Sequence, residues 1–305
     1  MLHRAQLFTI VLFLFFFLFA EVNPSIASTK GITVSPAFTE VILKKGESKV
    51  AEVTIQNNTK ETVTFELFPL DFRQGGDFGE ISFLGQDSES YSYSLASFLS
   101  LETSQVTVEA GGSEQIKVTV EDRESLSPGG HYAAVVGRIV QENDKSDNTI
   151  ISPSVSSLIL VRKVGGERFN INLLDNNWPK GIAFSYPQNT LLKMQNEGNV
   201  HLIPYGTFEV KDMFGRVLYS GIINSSSHII LPESRRYIQA DVRSRSFSYP
   251  ISINEIVIKG EDSIKKTSYS QRGTFLYVNP IALVFLGFLV LLVVIRIGKY
   301  KKRKQ

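Results

Sequence analysis

The chain has 305 residues, with 32 Lys and Arg against 30 Asp and Glu. Six of those bases sit in the last ten residues; without them and the first 27 residues, 25 bases face 29 acids, mixed along the chain, which excludes the basic footprint of a nucleic-acid binder. Cysteine is absent, which excludes disulfides, thiolate metal sites and thiol nucleophiles, and for an exported chain favours a bacterial cell surface over a stapled eukaryotic module.

In chain order, Arg4 precedes an apolar run from Leu7 to Phe19, and Ser25-Ile26-Ala27 supplies the small-x-small pattern of a signal-peptide cleavage site, so residues 1–27 are expected to be removed after Ala27. From Gly31 onward, apolar and polar residues alternate at period two with turn residues every eight to twelve positions, the pattern of an antiparallel sandwich. Ala51, Val53 and Ile55 share one face, and Asn57-Asn58-Thr59-Lys60 then turns the chain into a segment carrying Val63, Phe65 and Leu67. Val106 and Val108, a turn at Gly111-Gly112, and Ile116, Val118 and Val120 predict a hairpin. A last pair is expected around His131 to Val140 and Val155 to Val161, separated by the polar loop Gln141 to Asn148. About seven short strands result, as an immunoglobulin-like sandwich requires, and they place the first domain at 28–163.

Val164-Gly165-Gly166 predicts a hinge to a second immunoglobulin-like domain over 164–261. Its strands are expected at Arg168 to Leu173, Leu191 to Gln195, Gly206 to Val210, Val217 to Ile222 and Glu255 to Lys259, with a hairpin loop at Asp212-Met213-Phe214-Gly215. Two apolar strands end alike, at Gln56-Asn57 and Gln195-Asn196, an echo consistent with a repeated fold. Residues 262–274 are polar and aperiodic and are expected to form a juxtamembrane stalk. The fold class predicted is therefore all-β, two tandem β-sandwich domains, with a signal peptide and one transmembrane helix.

That helix is expected over 275–297, because the run from Phe275 to Ile295 is broken only by Asn279, Pro280 and Gly287 and is long enough at 1.5 Å per residue for a hydrocarbon core of about 30 Å. Arg296, Lys299, Lys301, Lys302, Arg303 and Lys304 place the C-terminal tail, 298–305, in the cytoplasm and the bulk of the chain outside. Ser270-Gln271-Arg272-Gly273-Thr274 lacks the LPxTG-type pentapeptide of a wall-sorting signal, so the helix is expected to persist as a single-pass anchor in the cell membrane.

Three stretches carry a resemblance to a known family: Gly31-Ile32-Thr33-Val34-Ser35-Pro36 followed by Lys44-Lys45-Gly46-Glu47 and Val53-Thr54-Ile55-Gln56-Asn57; Ser97 to Leu101 with Val106 to Gly112; and Ser127-Pro128-Gly129-Gly130-His131-Tyr132-Ala133-Ala134. Over residues 31–140 the chain resembles bacterial surface proteins of the WxL-interacting type. The resemblance implies two immunoglobulin-like domains, a transmembrane helix, a basic tail, and a partner that is another surface protein or peptidoglycan. Residues 165–261 depart from that family's second domain.

No catalytic order or metal spacing is present: His131, His201 and His228 form no HExxH and no triad with a nucleophile elbow. Asp71, Asp77 and Glu80, around Gly75, Gly76 and Gly79, permit two sharper readings, a calcium cradle or the acid and base of a wall-glycan hydrolase, against the plainer one of a hydrated surface loop. The loop Gln141 to Asp147 lacks the spacing of an EF-hand. No cofactor, metal or catalytic residue is predicted, and the chain reads as non-enzymatic. Tyr91 and Tyr93, with Phe98, offer a ring platform, and Trp178 a turn anchor, as possible contacts for a protein or cell-wall polymer. The sequons at Asn57 and Asn224 are expected to carry no glycan. The alternative function is a membrane-bound chaperone or assembly factor that accepts a partner strand, expected along His131 to Val140.

Overall fold

The structure, a computed structural model, describes residues 31–85, 91–140 and 154–303. Ala27 with its apolar leader, Lys304 and the loop Gln141 to Asn148 lie outside the described residues. The chain is mostly β-strand with one long C-terminal helix.

The N-terminal half contains β1 (Ile32–Ser35), β2 (Phe38–Leu43), β3 (Ser48–Asn57), β4 (Val63–Gln74), β5 (Ile81–Phe83), β6 (Leu99–Leu101), β7 (Gln105–Val108), β8 (Ser113–Glu121), β9 (Gly129–Ile139) and β10 (Ser154–Lys163). They form two sheets, β1-β3-β8-β6 and β2-β10-β9-β4-β5, with β7 also paired to β4. The alternation along β3 puts Ala51, Val53 and Ile55 inside, beside Val118 and Ile116 of neighbouring β8 and against Val135 and Phe65 of the facing sheet. Pro36 and Ala37 carry the chain from β1 in one sheet to β2 in the other, where β2 runs parallel to β10.

One expected hairpin is absent. β7 pairs with β4 and β8 with β3 and β6, so the turn at Gly111, with its positive φ of 71°, is a crossover between sheets. The reason is burial: Val108 and Ile116 both enter the core formed with Ile55, Phe65 and Leu67, which requires the two strands to face each other across it. The buried Asn57 amide ties this corner by donating to the carbonyls of Glu61 at 2.7 Å and Val108 at 3.1 Å.

β9 is buried on both faces. Ala133 and Val135 point into the sandwich, while Tyr132, Ala134 and Val136 pack with Phe72, Leu160 and, from the C-terminal half, Leu231. Its near-continuous apolar run is what a strand with no solvent face demands.

The C-terminal half contains β11 (Ile171–Asn176), β12 (Gly181–Ala183), β13 (Asn189–Asn196), β14 (Pro204–Asp212), β15 (Val217–Ile223), β16 (Arg235–Ser244), β17 (Ile251–Asp262) and β18 (Ser268–Val278). Where two facing sheets were expected, these strands make one eight-stranded sheet, β11-β13-β16-β15-β14-β17-β18-β12. The sheet curls about a single core that includes Trp178, Met194, Phe208, Ile238 and Phe275, and the Asn176 amide of β11 donates to the Gln271 side chain of β18 at 3.2 Å to bring distant strands together. The Gln-Asn echo has a shared structural role: Asn196, like Asn57, is fully buried and donates to carbonyls beyond its own strand, Val200 at 2.7 Å and Ile230 at 3.0 Å.

The expected stalk is also replaced by structure. Ser268–Val278 is β18, paired with β17 along its whole length, and its buried Tyr269, Phe275 and Tyr277 belong to the core. The helix α1 accordingly spans Pro280–Arg303 instead of starting at Phe275. Asn279 caps it through a side-chain oxygen that accepts the Ile281 N–H at 2.9 Å, and Pro280 occupies the first helical position, where its missing N–H costs nothing. An 18-residue window, Pro280–Ile297, has a mean hydropathy of 2.8 and is wholly unburied, so the helix is long and apolar enough to cross a membrane.

Candidate partner-binding site

The two halves meet through the outer face of the β9 sheet. The Tyr132 hydroxyl accepts the His201 backbone N–H at 2.7 Å, and the His201 ring stands 3.4 Å from the Glu40 carboxylate of β2. That imidazole, with help from Arg162, holds Glu40 below the usual carboxylate range. Tyr93 donates its hydroxyl to Glu233 at 3.0 Å, and burial with this bond pushes its phenol up to about 12. The β4–β5 loop reaches the other half as a clasp: Asp77 pairs with Lys193 at 2.5 Å, its carbonyl accepts the Tyr237 N–H at 2.7 Å, and Phe78 stacks on Tyr237.

This geometry assigns the singled-out residues to internal tasks. Asp71 is buried and accepts the N–H groups of Leu95 and Ala96, each at 2.7 Å, capping a short 3-10 turn at Ala96–Phe98. Asp77 is the clasp, which raises the Lys193 ammonium above its ordinary value, and Glu80 accepts the Phe78 N–H at 3.2 Å. The three acids therefore converge on no common point, and among the described residues no group of His, Asp and Glu could hold a metal ion. His131 is buried between the Ser94 and Ser127 carbonyls, and burial pushes its pKa down. The sequon residues Asn57 and Asn224 have buried amides donating to backbone carbonyls, which leaves no free nitrogen for a glycan in the folded chain.

The proposed aromatic contacts are corrected likewise. Trp178 is only 8% exposed and packs in the C-terminal core against Gly273, where a β-carbon would stand 3.1 Å from the indole. Tyr93 is engaged with Glu233, and half-buried Tyr91 packs edge-on against it with ring centres 5.6 Å apart, so the pair lines the junction between the halves and is not an open platform. The strand expected to accept a partner, β9, is paired on one side with β10 and on the other with β4. No hydrogen-bonding edge is left on it.

Among the edges with apolar exposure, β2 is the one that borders a cavity between the halves. It has β10 on one side and no strand on the other, and Phe38 and Ile42 are 41% and 47% exposed while Val41 and Leu43 are buried. The bonds from the Leu158 N–H to the Ala37 carbonyl and from the Val164 N–H to the Leu43 carbonyl show that odd-numbered positions face β10. By the alternation of a strand, the backbone groups of Phe38, Glu40 and Ile42 face outward. Beside this edge a cavity of about 230 Å³ opens between the halves, lined by Phe38, Phe72, Leu158 and Leu160 on one wall and Ile229, Leu231 and Arg236 on the other. The signal in the sequence was the run Val41-Ile42-Leu43 beside Phe38, too apolar for a strand with one wet face.

No protein-family description matches the chain, and no curated protein matches it. Among solved structures it is similar to the class 5 fimbriae chaperone CfaA, at 13% identity over 81% of this chain and 99% of that one, TM-score 0.38. It is likewise similar to the CupB2 chaperone of Pseudomonas aeruginosa, at 9% identity over 78% and 97% of the two chains, TM-score 0.37. A third is the E. coli chaperone DraB, at 10% identity over 80% and 95%, TM-score 0.36.

Proposed function

We propose that the protein is a non-enzymatic, membrane-anchored binding or assembly module, held outside the cell by α1, that takes an extended segment of a protein partner as a strand added to β2. The observation that carries the reading is the unpaired outer edge of β2, with exposed Phe38 and Ile42 running beside an apolar cavity. Main-chain bonds to the outward groups of Phe38, Glu40 and Ile42 supply affinity in such a complex, and the cavity supplies selectivity for apolar side chains at alternate positions. The apolar helix followed by Arg296 and the basic tail supports an orientation with both β halves outside and the tail in the cytoplasm. The resemblance of residues 31–140 to surface proteins of the WxL-interacting type supports a partner at the same cell surface.

Site-specific photocrosslinking in intact cells tests this. A photoreactive residue at Ile42 should give a discrete crosslinked species that one at Ile222, more exposed and on the other half, does not give, and Phe38→Lys should abolish it without lowering the melting temperature. Equal crosslinking at both positions, or persistence in Phe38→Lys, would remove β2 as the binding edge.

A further inference from the structure

The end of the C-terminal sheet from which α1 departs is ringed by exposed apolar side chains. β18 stops at Val278, and only Asn279, whose N–H donates to the Pro250 carbonyl at 2.7 Å, separates it from the helix. Opposite Val278 and Leu276 stand the exposed Ile251 and Ile253 of β17, and opposite Leu276 on the other side stands the exposed Ile182 of β12. The β14–β15 hairpin tip at the same end carries Phe214, 76% exposed, and the adjoining 245–250 loop, bonded to Leu218 through the Arg245 N–H, carries Phe247, 73% exposed. The opposite end of the sheet, with His201, Ile229 and Leu231, holds the N-terminal half.

We propose that this ring is a lipid-facing collar: the C-terminal sheet sits directly on the outer leaflet, with Ile182, Phe214, Phe247 and Ile251 immersed in the interfacial layer. The inference rests on the reading of α1 as a membrane span. Two further facts favour lipid over a protein partner. At 1.5 Å per residue the 18-residue apolar window is about 27 Å long, so it nearly fills a hydrocarbon core of about 30 Å and leaves Pro280 at the core boundary. With a single intervening residue, Val278 and the strands registered with it then lie within the headgroup zone, several ångströms deep on each side. Aromatic and aliphatic side chains gain free energy there, and the bases Arg216 and Arg245 at the same end can meet phosphate oxygens, with Arg216 held 5.1 Å over the Tyr249 ring.

The absence of cysteine permits a clean test. Single substitutions Phe214→Cys, Phe247→Cys, Lys265→Cys in the far β17–β18 turn, and Val290→Cys in α1 are labelled with an environment-sensitive fluorophore. The full chain is then reconstituted in phosphatidylcholine–phosphatidylglycerol vesicles containing lipids with a headgroup-level quencher, or separately with a mid-chain quencher. The collar predicts about a twofold or greater loss of emission at 214 and 247 with the headgroup-level quencher and none at 265, with 290 quenched at mid-chain depth. Labels at 214 and 247 that behave like 265 while 290 is quenched would overturn the collar and leave the anchor standing. An unquenched 290 would overturn the anchor itself, and the collar with it. Labels at 214 and 247 that are shielded from aqueous iodide yet unquenched by lipid would assign the ring to a protein and overturn the lipid assignment.

Discussion

The hydroxyl of Tyr132 accepts the backbone N–H of His201 at 2.7 Å in an environment closed to solvent, so a side chain of one half satisfies the main chain of the other. Tyr132→Phe removes the acceptor and leaves that N–H buried and unpaired. The expected loss is about 1–3 kcal/mol, read by chemical denaturation, with both halves still folded.

The clasp between Asp77 and Lys193 is partly exposed, which limits its worth. Asp77→Ala and Lys193→Ala should each change stability only slightly, and a double-mutant cycle should show correspondingly weak coupling. Because Asp71, Asp77 and Glu80 converge on no common point, calcium addition and chelation should both leave the melting temperature unchanged. A calcium-dependent rise would restore the cradle reading.

Trp178 tests the C-terminal core. Trp178→Ala should destabilise by about 3–5 kcal/mol through lost burial and the cavity left beside Gly273, whereas a surface anchor would be nearly silent. Denaturation of the variant distinguishes the two.

His131 gives the fold a pH dependence. Burial lowers its pKa in the folded chain, while in the unfolded chain it takes up a proton near pH 6.5. Between those two values the unfolded state holds more protons, so stability rises with pH through that window and declines as pH falls below about 6.5. His131→Gln should flatten the slope, leaving the contribution of His228, whose pKa is lowered by burial in the same sense.

The β class, most strand positions and the apolar helix were legible in the sequence because alternation and run length report burial directly. The Asp212 to Gly215 turn was legible as well, and it joins β14 to β15. Pairing was less so. Val106 to Val120 shows the same pattern whether its strands pair with each other or face across a core, and only the joint burial of Val108 and Ile116 decides. β18 was hidden because Ser268, Ser270 and Arg272 face outward between partly buried positions, so the segment looked like a polar stalk until Tyr269 and Phe275 found their core. The tasks of two singled-out residues were misread for a related reason. Tyr93 and Asp77 are polar and surface-like in sequence, and their partners, Glu233 and Lys193, lie more than a hundred residues away.

The central claim, that β2 is the edge a partner strand joins, is tested most directly by amide hydrogen exchange of the full chain in native membranes, before and after release of bound partners by mild chaotrope. Slow exchange of the outward amides of Glu40 and Ile42 in the bound state, becoming fast on release while β9 is unchanged, is the predicted result. Equally fast exchange of those two amides in both states would contradict it.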